Sequence, residues 1–296
     1  MNFDFLVAWG YFAGWRIVRS LPEKFAYGLF ERIGRVALYR NGSSMKRLRS
    51  NLSRVCPEKS GQEMDQLLQQ AMSSYMRYWC DTFRSPDWSR DRIAQTVTVE
   101  REELLTEPMK NGTGVIVALP HAGNWDHAGS YFCGMGFPLV TVAERLKPEA
   151  LFNKFLEYRQ NIGMEVLALD SRSMATLSKR AREGALIALV ADRDLSKSGI
   201  NVSFFGYPAR MPAGPALLAV RTGVPLITAF VSYTATGIHI EFNSVDIPTE
   251  GSESERISAA VQKCADLFAK GISSAPQDWH MLQRIWIDGD FQERTA

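Results

Sequence analysis

Residues Val115-Ile116-Val117-Ala118-Leu119-Pro120-His121-Ala122-Gly123-Asn124-Trp125-Asp126 run from five apolar side chains through a proline into a histidine, a glycine and an aspartate. A run this short, bounded by a turn signal and rich in β-branched residues, reads as a strand buried on both faces. Further runs of the same kind follow at 139–142, 166–169, 186–190 and 226–231. Amphipathic helical segments separate them. One opens at Pro148, in a first turn that tolerates proline, and continues to Asn161; another runs from Ser171 to Glu183, with a serine cap and Gly184 at its stop. A later helix spans 254–269. Buried strands alternating with helices define an α/β protein with a mixed, largely parallel central sheet flanked by helices.

Before residue 96 the texture differs. Helical periodicity over 21–39, 44–55 and 61–84, with few strand signals, implies a helical layer at 1–95 joined to an α/β core at 96–296. No internal repeat or low-complexity linker interrupts the chain, so one domain spanning 1–296 is expected. Residues 1–55 hold ten lysines and arginines against three acids, net +7 in a chain whose total is +2. Such an asymmetry suits a polyanionic partner. Phe3, Phe5, Leu6, Val7, Trp9, Tyr11, Phe12, Trp15, Ile17 and Val18 form an aromatic-rich first helix that ends among Arg16 and Arg19. Its uncharged stretch, 5–15, is short of the ~20 residues that span a bilayer. This layer is therefore expected to dock on an anionic membrane surface without crossing it, the plain alternative being a first helix buried in the core. Nucleic acid is not the expected partner, because its recognition would interleave basic and aromatic residues on an exposed sheet or groove.

The four cysteines, Cys56, Cys80, Cys133 and Cys264, form no C-x-x-C pair and read as reduced thiols. Without a basic n-region or a cleavage site at the start, the expected location is cytoplasmic.

A histidine and an aspartate just past the carboxyl end of a strand stand where ligands collect in an open α/β sheet. Gly123 permits a tight turn and Asn124 can start the following helix. Asp126 then falls in the first helical turn, where its carboxylate is favoured and can fold back toward the imidazole. A histidine held by a carboxylate is a general base, its free nitrogen taking a proton from an alcohol. No G-x-S-x-G element is present and no cysteine lies in a nucleophile context, so direct attack by a substrate hydroxyl on an acyl donor fits better than a covalent acyl-enzyme.

The string from Ala118 to Asp126 resembles the signature block of the lysophospholipid and lipid A acyltransferase superfamily. Further segments resemble the phosphatidylinositol mannoside acyltransferases within it: 141–149, 191–195, Phe204-Phe205-Gly206, 210–216 and 278–283, in a likeness running from near Ala13 almost to Trp286. The resemblance implies transfer of palmitoyl from acyl-CoA, a co-substrate with no further cofactor, to the mannose 6-hydroxyl of phosphatidylinositol mannosides. It implies a peripheral enzyme on the cytoplasmic face of the plasma membrane. His121 takes the role of base, and Asp126 that of the signature carboxylate. Asp192 stands where the family pattern has a glutamate that pairs with the histidine, one methylene shorter here, so His121 is left with Asp126, Asp192 or both as partner. Glu144 and Arg159 match residues lining the active-site groove, with Arg145, Asn124 and Arg193 as further substrate contacts; Arg193 and Asp194 read equally well as a salt-bridged turn. Oxyanion donors are expected from a backbone N–H near Gly123 or a nearby arginine. Phe204, Phe205 and Met211 are candidates for an acyl tunnel, though core packing explains each of them as well.

Two other readings fit the same residues. An acyltransferase acting on another glycolipid or lysophospholipid hydroxyl would keep the chemistry. A metal-dependent phosphoesterase would draw His121, Asp126, His127, Asp192 and Asp194 around an ion. No metal is expected, because His239 and His280 stand alone in sequence and His239 reads as structural.

Overall fold

The computed structural model describes residues 3–143, 149–170 and 172–289. Its helical layer comprises α1 (Phe3–Ser20), α2 (Glu23–Arg40), α3 (Ser43–Val55), α4 (Gly61–Arg84) and α5 (Arg90–Gln95). The α/β part then runs β1 (Val97–Glu100), α6 (Glu103–Lys110), β2 (Val115–Leu119), α7 (Trp125–Gly134), β3 (Leu139–Ala143), α8 (Glu149–Asn161), β4 (Met164–Ala168), α9 (Ser173–Arg182) and β5 (Leu186–Val190). It closes with β6 (Ile200–Phe204), β7 (Tyr207–Met211), α10 (Gly214–Thr222), β8 (Leu226–Tyr233), β9 (Ile238–Ser244) and α11 (Glu253–Ser274).

The main sheet orders its strands β1-β9-β8-β2-β5-β3-β4, while β6 and β7 form a separate antiparallel hairpin. Every pairing in the main sheet is parallel except β8 with β9, so the expected mixed, largely parallel sheet flanked by helices is what the chain builds. β2 is buried along its whole length and sits between β8 and β5. Its side chains alternate between two cores, as the period of a strand requires. Val115, Val117 and Leu119 join Leu105, Phe132 and Phe242 beneath α6 and α7. Ile116 and Ala118 join Leu177, Leu218 and Phe268 beneath α9, α10 and α11.

A third cluster fastens the helical layer. Trp15 and Val18 of α1 pack with Phe30 of α2, Phe83 of α4 and Tyr158 of α8, and the Trp15 indole N–H donates to the Phe83 carbonyl at 3.0 Å. Trp15 and Val18, expected on the membrane side, are therefore core residues, and the C-terminal half of α1 is docked on the protein. Tyr11 and Ile17 of the same helix are exposed. The side chains of Phe3, Phe5, Leu6, Val7, Trp9 and Phe12 lie outside what is described. Among the described residues no helix is long and apolar enough to cross a membrane.

Candidate active site

β2 and β5 run side by side with Leu119 opposite Val190. Two residues beyond each strand end come His121 and Asp192, and the shared register brings them to one level at the carboxyl edge of the sheet. His121 Nδ1 lies 2.6 Å from Asp192 Oδ1, and the His121 backbone N–H donates to Oδ2 at 3.0 Å. The Trp279 indole N–H donates to that same Oδ2 at 2.9 Å. Asp192 is fully buried, whereas 40% of the His121 side chain is exposed. Burial alone would push the Asp192 carboxyl up; the adjacent imidazole, the indole and the backbone N–H outweigh it and hold the group below the ordinary carboxylate range. An ionised carboxylate only accepts, so Nδ1 carries a hydrogen, and in the neutral imidazole the lone pair lies on Nε2.

The turn between β2 and α7 depends on Gly123. Its φ is +56°, and a Cβ there would lie 2.5 Å from the Val231 carbonyl oxygen of β8, so only glycine fits. Gly123 N–H donates to the Asp278 carbonyl at 2.9 Å, which removes it from the expected set of oxyanion donors. Asn124 caps α7, its Oδ1 accepting from His127 N–H at 2.9 Å while Nδ2 lies 3.4 Å from Asp81. The residue is buried, placed to hold the turn and not to face an open groove.

Asp126 does not fold back onto the imidazole. Arg159 of α8 donates to both of its oxygens, Nε at 2.9 Å and Nη2 at 3.3 Å, and Tyr78 donates its hydroxyl at 3.2 Å. The guanidinium is the stronger attraction and draws the carboxylate across to α8. Of the two candidate partners, it is Asp192 that bonds His121. Burial of Arg159 opposes its charge, but the Asp126 carboxylate raises its pKa above the ordinary arginine value. Arg193 follows Asp192 directly and is half-buried. Glu144 and Arg145 lie outside the described residues.

The five residues of the metal reading are scattered. Asp126 faces Arg159, His127 packs against Trp88 and Thr96, Asp192 faces His121, and Asp194 accepts from Ser196 N–H. Among the described residues no group of three or more His, Cys, Asp or Glu side chains is arranged to hold an ion.

Next to the pair lies a largely apolar cavity of about 90 Å³ beneath α7, walled by β2, β3, β5, β8 and β9 side chains and by Ala128, Gly129 and Phe132, with Asp126 and Arg159 as its charged members. Trp125 belongs to its wall and also packs edge-on against His121, ring centroids 5.9 Å apart. The cavity is thus one ring away from the imidazole. Phe204 and Met211 are on the opposite face of the sheet, in the core that contains Trp279 and Trp286, with Phe205 packed against it. They are packing residues and do not line this cavity. The sequence led to an expected acyl tunnel but not to this lining, and it did not point to Tyr78 or Trp279, save that the likeness over 278–283 includes the latter.

A histidine bonded through Nδ1 to a buried carboxylate thus stands one ring away from a largely apolar cavity, and comparison with known proteins places the chain among the acyltransferases. It belongs to the bacterial lipid A biosynthesis acyltransferase family, whose model matches residues 3–287. The phosphatidylinositol mannoside acyltransferase of Mycolicibacterium smegmatis is 40% identical over 290 residues, covering 97% of this chain and 93% of that protein. A phosphatidylinositol mannoside acyltransferase of Mycobacterium tuberculosis is 37% identical over 293 residues, covering 97% and 91%.

Proposed function

We propose that the protein transfers palmitoyl from acyl-CoA to the mannose 6-hydroxyl of phosphatidylinositol mannosides, with His121 as general base. The observation that carries this reading is the ionised Asp192 on Nδ1, which leaves Nε2 open beside the apolar cavity. Nε2 takes the hydroxyl proton as the alcohol oxygen attacks the thioester carbonyl. The C–S bond then breaks, the ester forms, and the proton on Nε2 passes to the departing thiolate. The largely apolar lining of the cavity suits the first part of an acyl chain. The acceptor class follows the names of the two mycobacterial relatives, each matched over nearly its whole length.

The surface reading is peripheral docking on the cytoplasmic face of the plasma membrane. Phe25, Leu29, Ile33 and Val36 are exposed on one stripe of α2, with Lys24, Arg32, Arg35 and Arg40 on the same helix. An apolar stripe flanked by cations suits an anionic lipid surface.

Incubation with palmitoyl-CoA and phosphatidylinositol mannosides, followed by NMR of the product, tests the substrate assignment. The expected product is an ester at the mannose 6-hydroxyl with release of free coenzyme A. Transfer only to a different lipid alcohol would retain the chemistry and discard this acceptor.

A further inference from the structure

The segment Asp278-Trp279-His280 has contacts that converge on the dyad from outside. Trp279 is completely buried, and its indole N–H is one of two donors on Asp192 Oδ2, the other being the His121 backbone N–H. Oδ1 is left to the imidazole. On either side of the tryptophan the backbone is tied to the histidine turn. Asp278 O accepts from Gly123 N–H at 2.9 Å, and His280 N–H donates to His121 O at 2.7 Å. The strap is anchored in turn: Ser74 donates its hydroxyl to Asp278 Oδ1 at 2.7 Å and lies 2.8 Å from His280 Nε2, and Tyr233 N–H donates to Asp278 Oδ2 at 2.8 Å.

A carboxylate with two lone-pair-rich oxygens can rotate, share Nδ1 between them, or take up a proton when buried. Any of these would loosen the imidazole. An indole N–H that occupies Oδ2 from a rigid, buried ring prevents rotation, because turning the carboxylate would leave that donor unpaired out of water. Groups that orient a reacting residue from one bond away commonly matter to turnover as much as the contacts they support.

We propose that Trp279 is a positioning residue of the acyl transfer, its indole N–H fixing the Asp192 carboxylate so that Oδ1 alone faces Nδ1 of His121. The inference rests on the reading of His121 as general base. It assigns the Asp278–His280 strap the task of holding both halves of the dyad at once.

Two variants test it. Trp279→Phe deletes the N–H together with part of the ring. Site-specific replacement of Trp279 by 3-benzothienylalanine keeps the shape and exchanges only N–H for sulfur, so it decides the matter if the phenylalanine variant fails to fold. The expected result is a kcat lowered about 10–100-fold, the range seen for supporting-shell contacts, with both KM values within about twofold. The acid limb of kcat/KM should also move to higher pH, because a carboxylate robbed of a donor makes the coupled pair hold its proton more tightly. A benzothienyl variant with kcat within about twofold of the parent, or with lowered kcat and an unmoved acid limb, would overturn the proposal. His121→Ala separates the two readings. If that variant keeps its activity, the base assignment falls; if it is inactive while the 279 variants behave like the parent, only the role of Trp279 falls.

Discussion

Arg159 of α8 grips both carboxylate oxygens of Asp126 in α7, at 2.9 and 3.3 Å, across the wall of the cavity. Both side chains are largely buried. Removing either partner strands the other charge out of water, so Arg159→Met is expected to lower stability by about 3–5 kcal/mol, and Asp126→Asn by a similar amount. The double variant should fall well short of the sum, because the second change removes a charge already unpaired. Urea unfolding of the four proteins checks this; additive losses would show that the two groups act independently.

The cavity sets a chain-length expectation. Ala229 on β8 faces the same space as Val117 and Phe242, and Ala229→Phe fills it without touching the dyad. Each methylene excluded from an apolar pocket is worth about 1–3 kcal/mol of discrimination, so preference should shift from palmitoyl-CoA toward shorter thioesters by at least about tenfold. Competition between palmitoyl-CoA and dodecanoyl-CoA measures it. An unchanged ratio would place the acyl chain elsewhere.

Acid sensitivity should have a contribution from His127. Its ring is 5.0 Å from the Trp88 ring, and burial first, then the charges of Arg77 and Arg92, push its pKa down to about 4 from the ordinary 6.5. Below about 6.5 the unfolded chain binds a proton that the folded chain refuses until near 4, so this group makes stability fall as pH falls through that window. The slope it adds approaches about 1.4 kcal/mol per pH unit, and His127→Gln should remove that increment. Urea midpoints collected from neutral pH down to about 5 test the sign; parallel profiles for the two proteins would contradict it.

Docking through α2 predicts a separable defect. Phe25→Glu combined with Ile33→Glu puts two carboxylates on the exposed stripe and should lower sedimentation with phosphatidylglycerol vesicles at least about tenfold. Acyl transfer to detergent-dispersed acceptor should stay near the parent rate. Equal vesicle binding by both proteins would move the contact surface off α2.

The strands legible in the sequence are those written as continuous apolar runs, even where, as in β3 and the edge strand β4, most positions are only half-buried. β2 and β5 occupy the expected spans, and β8 extends its span by two residues, to Tyr233. β4 begins two residues earlier than expected, at Met164, because a methionine after a glycine gives no strand signal. β1 and β9 are not legible: the first is four residues long, and the second, though inside the sheet, alternates buried and half-buried positions around His239, so that its polar members break the apolar run. The β6–β7 hairpin turns on Phe205 and Gly206, both at positive φ, and a phenylalanine in that conformation conceals the turn. In the site, the local turn around His121 was readable because its residues are adjacent. The choice of Asp192 over Asp126 depends on the register of β2 against β5 and on the competing pull of Arg159. The Trp279 contact joins residues 87 apart and has no local signature.

The proposed reaction turns on His121 Nε2 taking the acceptor proton. Its most direct test is the single-turnover rate of palmitoyl transfer by His121→Ala, with folding confirmed by an unchanged thermal midpoint and vesicle binding retained. A loss of about 10²–10⁴-fold is expected, the usual contribution of a positioned general base. A rate within a few-fold of the parent would contradict it.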